Sequence, residues 1–133
     1  MSQINPQTIL DEAILIPCYY TKVQQVGIDL TLEASIKIKH GESANVLLNE
    51  EVHLPHNIFA TFTHRSSYNR QGVLITGSIY DPNYSGQVGC TIYNLSGHDL
   101  EIDANERIGQ MVFFKAESAS EYNGQYQNEH LNK

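Results

Sequence analysis

From Val26 to Phe114 the chain repeats one pattern: short runs of alternating apolar and polar residues, cut off by turn-forming residues. Ile28, Leu30 and Leu32 oppose Asp29, Thr31 and Glu33, and the pattern resumes at Ile36 and Ile38. Ile58, Ala60 and Phe62 alternate, as do Leu100 and Ile102. Val88, Cys90 and Ile92 oppose Gln87, Gly89, Thr91 and Tyr93. A period of two is the mark of strands with one buried face. Gly41-Glu42, Asp81-Pro82-Asn83 and Ser96-Gly97 punctuate the runs as turns. Ala13 to Ile16, stopped by Pro17, reads as a first edge strand. Val46–Leu48 and Val52–Leu54 flank Asn49-Glu50-Glu51 and read as a hairpin. Ile108 to Phe114 is almost continuously apolar, which predicts a strand buried on both faces. About ten short strands separated by turns imply an all-β sandwich or barrel.

Little room is left for helix. One short helix is expected, starting at Ser66 or Ser67, and Met1 to Thr8 reads as a polar lead-in. From Glu117 the chain is rich in Ser, Glu, Asn, Gln, Tyr and Gly and has no period. The expected organisation is one β domain over residues 1–116 and a flexible tail over 117–133. That tail is either a free end or a segment that closes over a ligand.

Composition narrows the function. A length of 133 residues fits one domain, and 41% apolar residues permit a small core. The net charge of −7, with eight Lys and Arg in all, is poorly suited to gripping a nucleic-acid backbone. The arginines Arg65, Arg70 and Arg107 sit in motif-like segments, which suits a small phosphorylated ligand. Two distant cysteines, Cys18 and Cys90, make no disulfide framework and suggest a reducing compartment. With neither a signal peptide nor a membrane-length apolar run visible, a soluble cytoplasmic protein is expected. His53 and His56 flank Pro55 without a Cys or acidic cluster, so zinc is not expected. Phosphate-binding Gly-rich loops and the Gly-x-Ser-x-Gly elbow are absent from the sequence.

The chemistry concentrates between His64 and Asn94. Arg65 offers a planar, permanently charged fork to phosphate oxygens. Ser66 and Ser67 add hydroxyls and, at a helix start, backbone N–H groups. Arg70 follows. Asp81 could polarise a water, and Tyr84 could stack on a sugar or base. Each feature also has a plain reading: a surface arginine, a helix cap, a Pro-Asn turn.

Together these residues resemble the superfamily of trimeric dUTPases and dCTP deaminases. The matching blocks are RSSYNR (Arg65 to Arg70), DPNYSG (Asp81 to Gly86) and Asn94. They are flanked by VGIDLTL (Val26 to Leu32) and ERIGQMVF (Glu106 to Phe113). The resemblance implies a dUTPase-like β-barrel or jelly roll of the β-clip type, assembled as a homotrimer with sites at subunit interfaces. It implies dUTP hydrolysis to dUMP and pyrophosphate, with Asp81 as the water-activating base and Mg2+ held mainly by the triphosphate. Arg65, Ser66 and Ser67 would hold phosphates, with Gln110 and Arg70 in support. Tyr84 would pack on the deoxyribose, and the hairpin around Gly77 would read the base. The tail residues Gln125 and Tyr126 would join the substrate site. Two departures bear on the activity. Thr91 stands where dCTP deaminases carry a catalytic glutamate, which argues against deamination. The tail lacks the glycine-rich motif that covers the triphosphate in dUTPases, which keeps nucleotide binding without turnover as an alternative.

Overall fold

The computed structural model describes residues 2–117. The elements run α1 (Pro6–Asp11), β1 (Leu15–Ile16), β2 (Lys22–Val23), β3 (Ile28–Thr31), β4 (Ile36–Ile38), β5 (Ser43–His53), β6 (Ile58–His64), α2 (Ser66–Arg70), β7 (Val73–Thr76), β8 (Ile79–Tyr80), β9 (Ser85–Asn94), β10 (Leu100–Ile102) and β11 (Arg107–Lys115). They form a four-stranded sheet of order β1-β5-β9-β7, a five-stranded sheet of order β2-β3-β11-β6-β8, and the pair β10-β4. The expected all-β architecture is therefore present. No described helix is long and apolar enough to cross a membrane.

Both large sheets feed one core. The first supplies Leu48, Val52, Val88 and Ile92, and the second Ile28, Leu30, Met111 and Phe113, all fully buried. Register explains the alignment. Met111 pairs with Ile28 on one side and Phe62 on the other, so the three side chains form one inward row. On the opposite face Phe59 and Phe114 stack at 5.3 Å between ring centroids.

Four expectations are corrected. The lead-in contains a second helix, α1. Asn5 Oδ1 accepts from the Gln7 N–H at 2.8 Å, Pro6 opens the helix with its preset φ, and fully buried Ile9 anchors it. The hairpin expected at Asn49-Glu50-Glu51 is instead the middle of one strand, β5, with a register shift between Leu47 and Glu51. The irregularity inserts two extra residues in β5, which keeps the alternation, so Glu50 faces inward in line with buried Leu48 and Val52, where donors await it. The run from Val26 to Ile38 is two strands, β3 and β4, and the polar residues of β3 are buried with the apolar ones. Finally, β11 is fully buried on one face only: Val112 and Phe114 on the other are half-buried. The helix at Ser66 and the turns at Gly41 and Asp81 stand as expected.

Candidate functional site

The sequence-derived residues divide between two clefts. The first opens beside β7 and β9, has a volume of about 820 Å³, and is lined by Asn45, Thr76, Gly77, Asp81, Tyr84 and Thr91 among others. Asp81 reaches its mouth on a tight turn. The Tyr84 N–H donates to the Asp81 carbonyl at 3.1 Å, Pro82 fills the second position, and Asn83 takes the third with φ 68°. Proline followed by a residue tolerant of positive φ is the type II pattern. The turn is tied down at both ends of its arc, since Asn83 N–H donates to the Pro55 carbonyl at 3.2 Å and Leu54 N–H to that of Tyr84 at 2.9 Å. An exposed carboxylate is thus held on a constrained support.

Two glycines shape this cleft. A Cβ on Gly77 would lie 2.6 Å from the Phe62 carbonyl oxygen, so the backbone there presses against β6 as only glycine allows. A Cβ on Gly86 would lie 2.2 Å from the Tyr84 hydroxyl, so the Tyr84 ring lies across that backbone. Tyr84 is buried and its ring sits 5.5 Å from that of Tyr80. It both packs under the turn and lines the cleft. Cys90 also lines this cleft, and burial pushes its thiol up to about 12, which leaves it protonated and a poor nucleophile at neutral pH.

The second cleft, of about 520 Å³, is lined by Tyr20, Arg65, Ser67, Tyr68, Glu106 and Arg107 among others. Arg65 is the N-cap residue of α2, and its Nη1 donates to the Arg107 carbonyl at 3.3 Å. Beneath it the Tyr68 hydroxyl donates to Glu106 Oε2 at 2.8 Å. Burial, reinforced by the Glu106 carboxylate, pushes that hydroxyl well above the usual tyrosine range, so it stays a donor. Arg107 Nη1 lies 3.5 Å from Oδ2 of buried Asp29, which also accepts from Gln24 Nε2 at 2.7 Å. Arg107 is therefore neutralised within the fold. Among the described residues no carboxylate pairs with the Arg65 guanidinium, which donates to a carbonyl, so its charge is available to an anion.

Asp81 and Arg65 line different clefts. Tyr80 and Ile79 pair with Ala60 and Thr61 of β6, running antiparallel, so Asp81 follows toward the Ile58 end. Helix α2 leaves β6 at its other end, past His64. About six residues at about 3.3 Å each put the backbones of the two residues roughly 20 Å apart along the strand direction. Gln110 lines neither cleft: it lies in register between Asp29 of β3 and Thr63 of β6. Ser66 and Arg70 are exposed on α2, and among the described residues no carboxylate pairs with Arg70. Gln125 and Tyr126 lie outside the described residues.

Sequence reasoning missed three features. Glu50, fully buried, accepts from Thr31 N–H at 3.0 Å, Thr31 Oγ1 at 2.8 Å and Thr21 Oγ1 at 2.5 Å. An acidic pair, Glu50-Glu51, inside an otherwise strand-like stretch was its only signal. Tyr68 and Glu106 lie far apart in sequence and gave none. The pair Thr91–Asn45, joined by a 2.7 Å hydrogen bond on the floor of the first cleft, follows only from strand register.

The dUTPase family model matches residues 13–133. The chain is 33% identical over 102 residues to a Pyrococcus horikoshii protein named dCTP deaminase, across 75% of this chain and 65% of that protein. It is 39% identical over 90 residues to a Methanococcoides burtonii protein named probable deoxyuridine 5′-triphosphate nucleotidohydrolase, across 65% of this chain and 52% of that one. The chain thus spans between half and two-thirds of these relatives' lengths. The solved structure of native EIAV dUTPase superimposes with a TM-score of 0.67 at 23% identity, covering 84% of this chain and 96% of that one. Since the family model spans nearly all of the chain and the fold agrees with it, the protein belongs to the dUTPase family.

Proposed function

We propose that this protein hydrolyses dUTP to dUMP and pyrophosphate in the cytoplasm, in sites assembled between the subunits of a homotrimer. The observation that carries the reading is the separation of the two clefts along β6. One protomer offers a supported carboxylate with a nucleoside-sized cleft; elsewhere it offers a guanidinium with hydroxyls. Each is half of a nucleotide site, and a neighbouring copy can bring the halves together. Exposed Leu74 and Tyr93, which face each other across β7 and β9 next to the first cleft, provide apolar surface for such a contact.

In this reading Asp81 orients a water and takes its proton as the water attacks the α-phosphorus. Tyr84 packs against the deoxyribose and the backbone near Gly77 meets the base. Arg65, Ser66 and Ser67 hold the phosphates, with Gln110 and Arg70 in support. Residues 117–133, with Gln125 and Tyr126, close over the bound nucleotide. The substrate is the magnesium complex of the triphosphate, in which the ion offsets charge on the phosphates. Asp29 is committed to Arg107 and Gln24, and among the described residues no three His, Cys, Asp or Glu side chains converge as a protein cage. In this reading the triphosphate and waters would hold the ion. Deamination is disfavoured because the Thr91 hydroxyl, already bonded to Asn45, cannot act as a carboxylate does.

The test is incubation with each dNTP and Mg2+, with base and phosphate products analysed together and mass measured by light scattering. Pyrophosphate and dUMP from dUTP, without ammonia from dCTP, are expected from a particle of three chains. Nucleotide bound without products would leave a binding protein, and a stable monomer would refute the shared sites. Arg65→Ala should weaken binding of a non-hydrolysable dUTP analogue by about 2 to 3 kcal/mol, the worth of one or two charge-assisted hydrogen bonds. Calorimetry on a variant with unchanged circular dichroism checks this, and wild-type affinity would remove Arg65 from the phosphate site.

A further inference from the structure

The floor of the first cleft carries a row of polar side chains across three adjacent strands. Asn45 of β5 is the cross-strand partner of Thr91 of β9, and Thr91 is in turn the partner of Thr76 of β7. All three line the cleft that holds Asp81 and Tyr84. The Thr91 hydroxyl donates to Asn45 Oδ1 at 2.7 Å, and Thr76 Oγ1 donates to the Thr91 carbonyl at 3.5 Å.

A hydroxyl has one proton to give, and that of Thr91 goes to Asn45 Oδ1. With that bond made, the carboxamide oxygen faces Thr91. The amide nitrogen, with two N–H donors, turns away. Among the described residues no acceptor is recorded for those donors. Asn45 is exposed, so the donors stand in the open part of the cleft.

The geometry points to Asn45 as a base-reading residue, oriented by Thr91, that favours a pyrimidine with a carbonyl at ring position 4 over one with an amino group there. This inference rests on the nucleotide reading above. A carbonyl oxygen accepts from the Asn45 amide. An exocyclic amino group sets donor against donor, and pairing it would need the carboxamide to turn over and the Thr91 hydroxyl to change from donor to acceptor. A donor-built site rejects the wrong group more strongly than an apolar pocket can, because its own polar groups lose their partners. Thr91 acts as a positioning residue, since without its hydroxyl the carboxamide can turn over and offer its oxygen instead.

The test uses Asn45→Asp in the full-length chain. The new side chain keeps an oxygen for Thr91 and the same shape, but its outward group becomes an acceptor. Affinities for dUMP and dCMP are measured by calorimetry, and their ratio is compared with wild type. Taking the ratio cancels any general repulsion of phosphate by the added charge. The ratio should shift toward dCMP by about 10- to 100-fold, on the scale of one good donor–acceptor discrimination. Thr91→Val should shift it by a smaller factor of about three to ten. An unchanged ratio in Asn45→Asp overturns the inference even if wild type makes pyrophosphate from dUTP. So does equal wild-type affinity for the two nucleotides. A shifted ratio in a protein that makes no pyrophosphate upholds base reading and refutes hydrolysis. Binding of neither nucleotide overturns the inference, and the products formed from dUTP decide hydrolysis independently.

Discussion

Asp81→Asn is expected to bind a non-hydrolysable dUTP analogue as wild type does while its turnover falls by about 10² to 10⁴, the usual share of a general base. Asparagine keeps the side-chain shape but cannot accept a proton. The turn should survive, because its defining hydrogen bond uses the backbone carbonyl of residue 81 and its geometry rests on Pro82 and Asn83. Binding and catalysis can therefore be separated at this position. Steady-state pyrophosphate release gives the turnover, and calorimetry gives the affinity. A loss of binding equal to the loss of rate would mean that Asp81 supports the substrate rather than the water. Undiminished turnover would place the base elsewhere.

Glu50→Ala is expected to destabilise the fold by about 3 to 5 kcal/mol, a magnitude reached when several buried donors lose their acceptor and a cavity is left. The Glu50 carboxyl gathers the Thr31 N–H, the Thr31 hydroxyl and the Thr21 hydroxyl, and Cys18 Sγ lies 3.8 Å away. Through these bonds β5 holds β3 and the loop that carries Tyr19 and Tyr20 (Tyr20 borders the Arg65 cleft). Glu50→Gln retains one oxygen, and the two hydroxyls can rotate to accept from its amide, so it should cost about 1 kcal/mol. Urea denaturation at one fixed protein concentration reads both effects as shifts of midpoint at constant slope. Equal losses for the two variants would show that packing volume, not hydrogen bonding, makes Glu50 matter.

How much of this was legible follows from the range of the interactions. Strands with one apolar face announced themselves, because alternation is a property of neighbours in sequence. So did the turn at Asp81-Pro82-Asn83, whose residue types are dictated by its own dihedral angles. Helix α1 was equally local, since Asn5 followed by Pro6 is a helix start, yet the polar residues around it masked that signal. The bulged middle of β5 was not legible. An acid at position 50 belongs on a surface unless three donors from β3 and the loop before β2 converge on it, and their convergence is a product of the fold. The site divides along the same line. Arg65, Asp81 and Tyr84 could be named as candidates from residue type, and Gly77 from the family resemblance. Their distribution over two clefts, and the pairing of Asn45 with Thr91, depend on register between strands that are distant in sequence.

The placement of Asp81 and Arg65 at opposite ends of β6 has a genetic consequence. If each working site draws these residues from different copies, damage at one position is not confined to the chain that bears it. A subunit lacking Asp81 still lends its Arg65 to a neighbour, and a subunit lacking Arg65 still lends its Asp81. Two inactive alleles expressed together would then rebuild some intact sites, so lesions at these two positions complement one another. Two lesions in the same half of the site cannot.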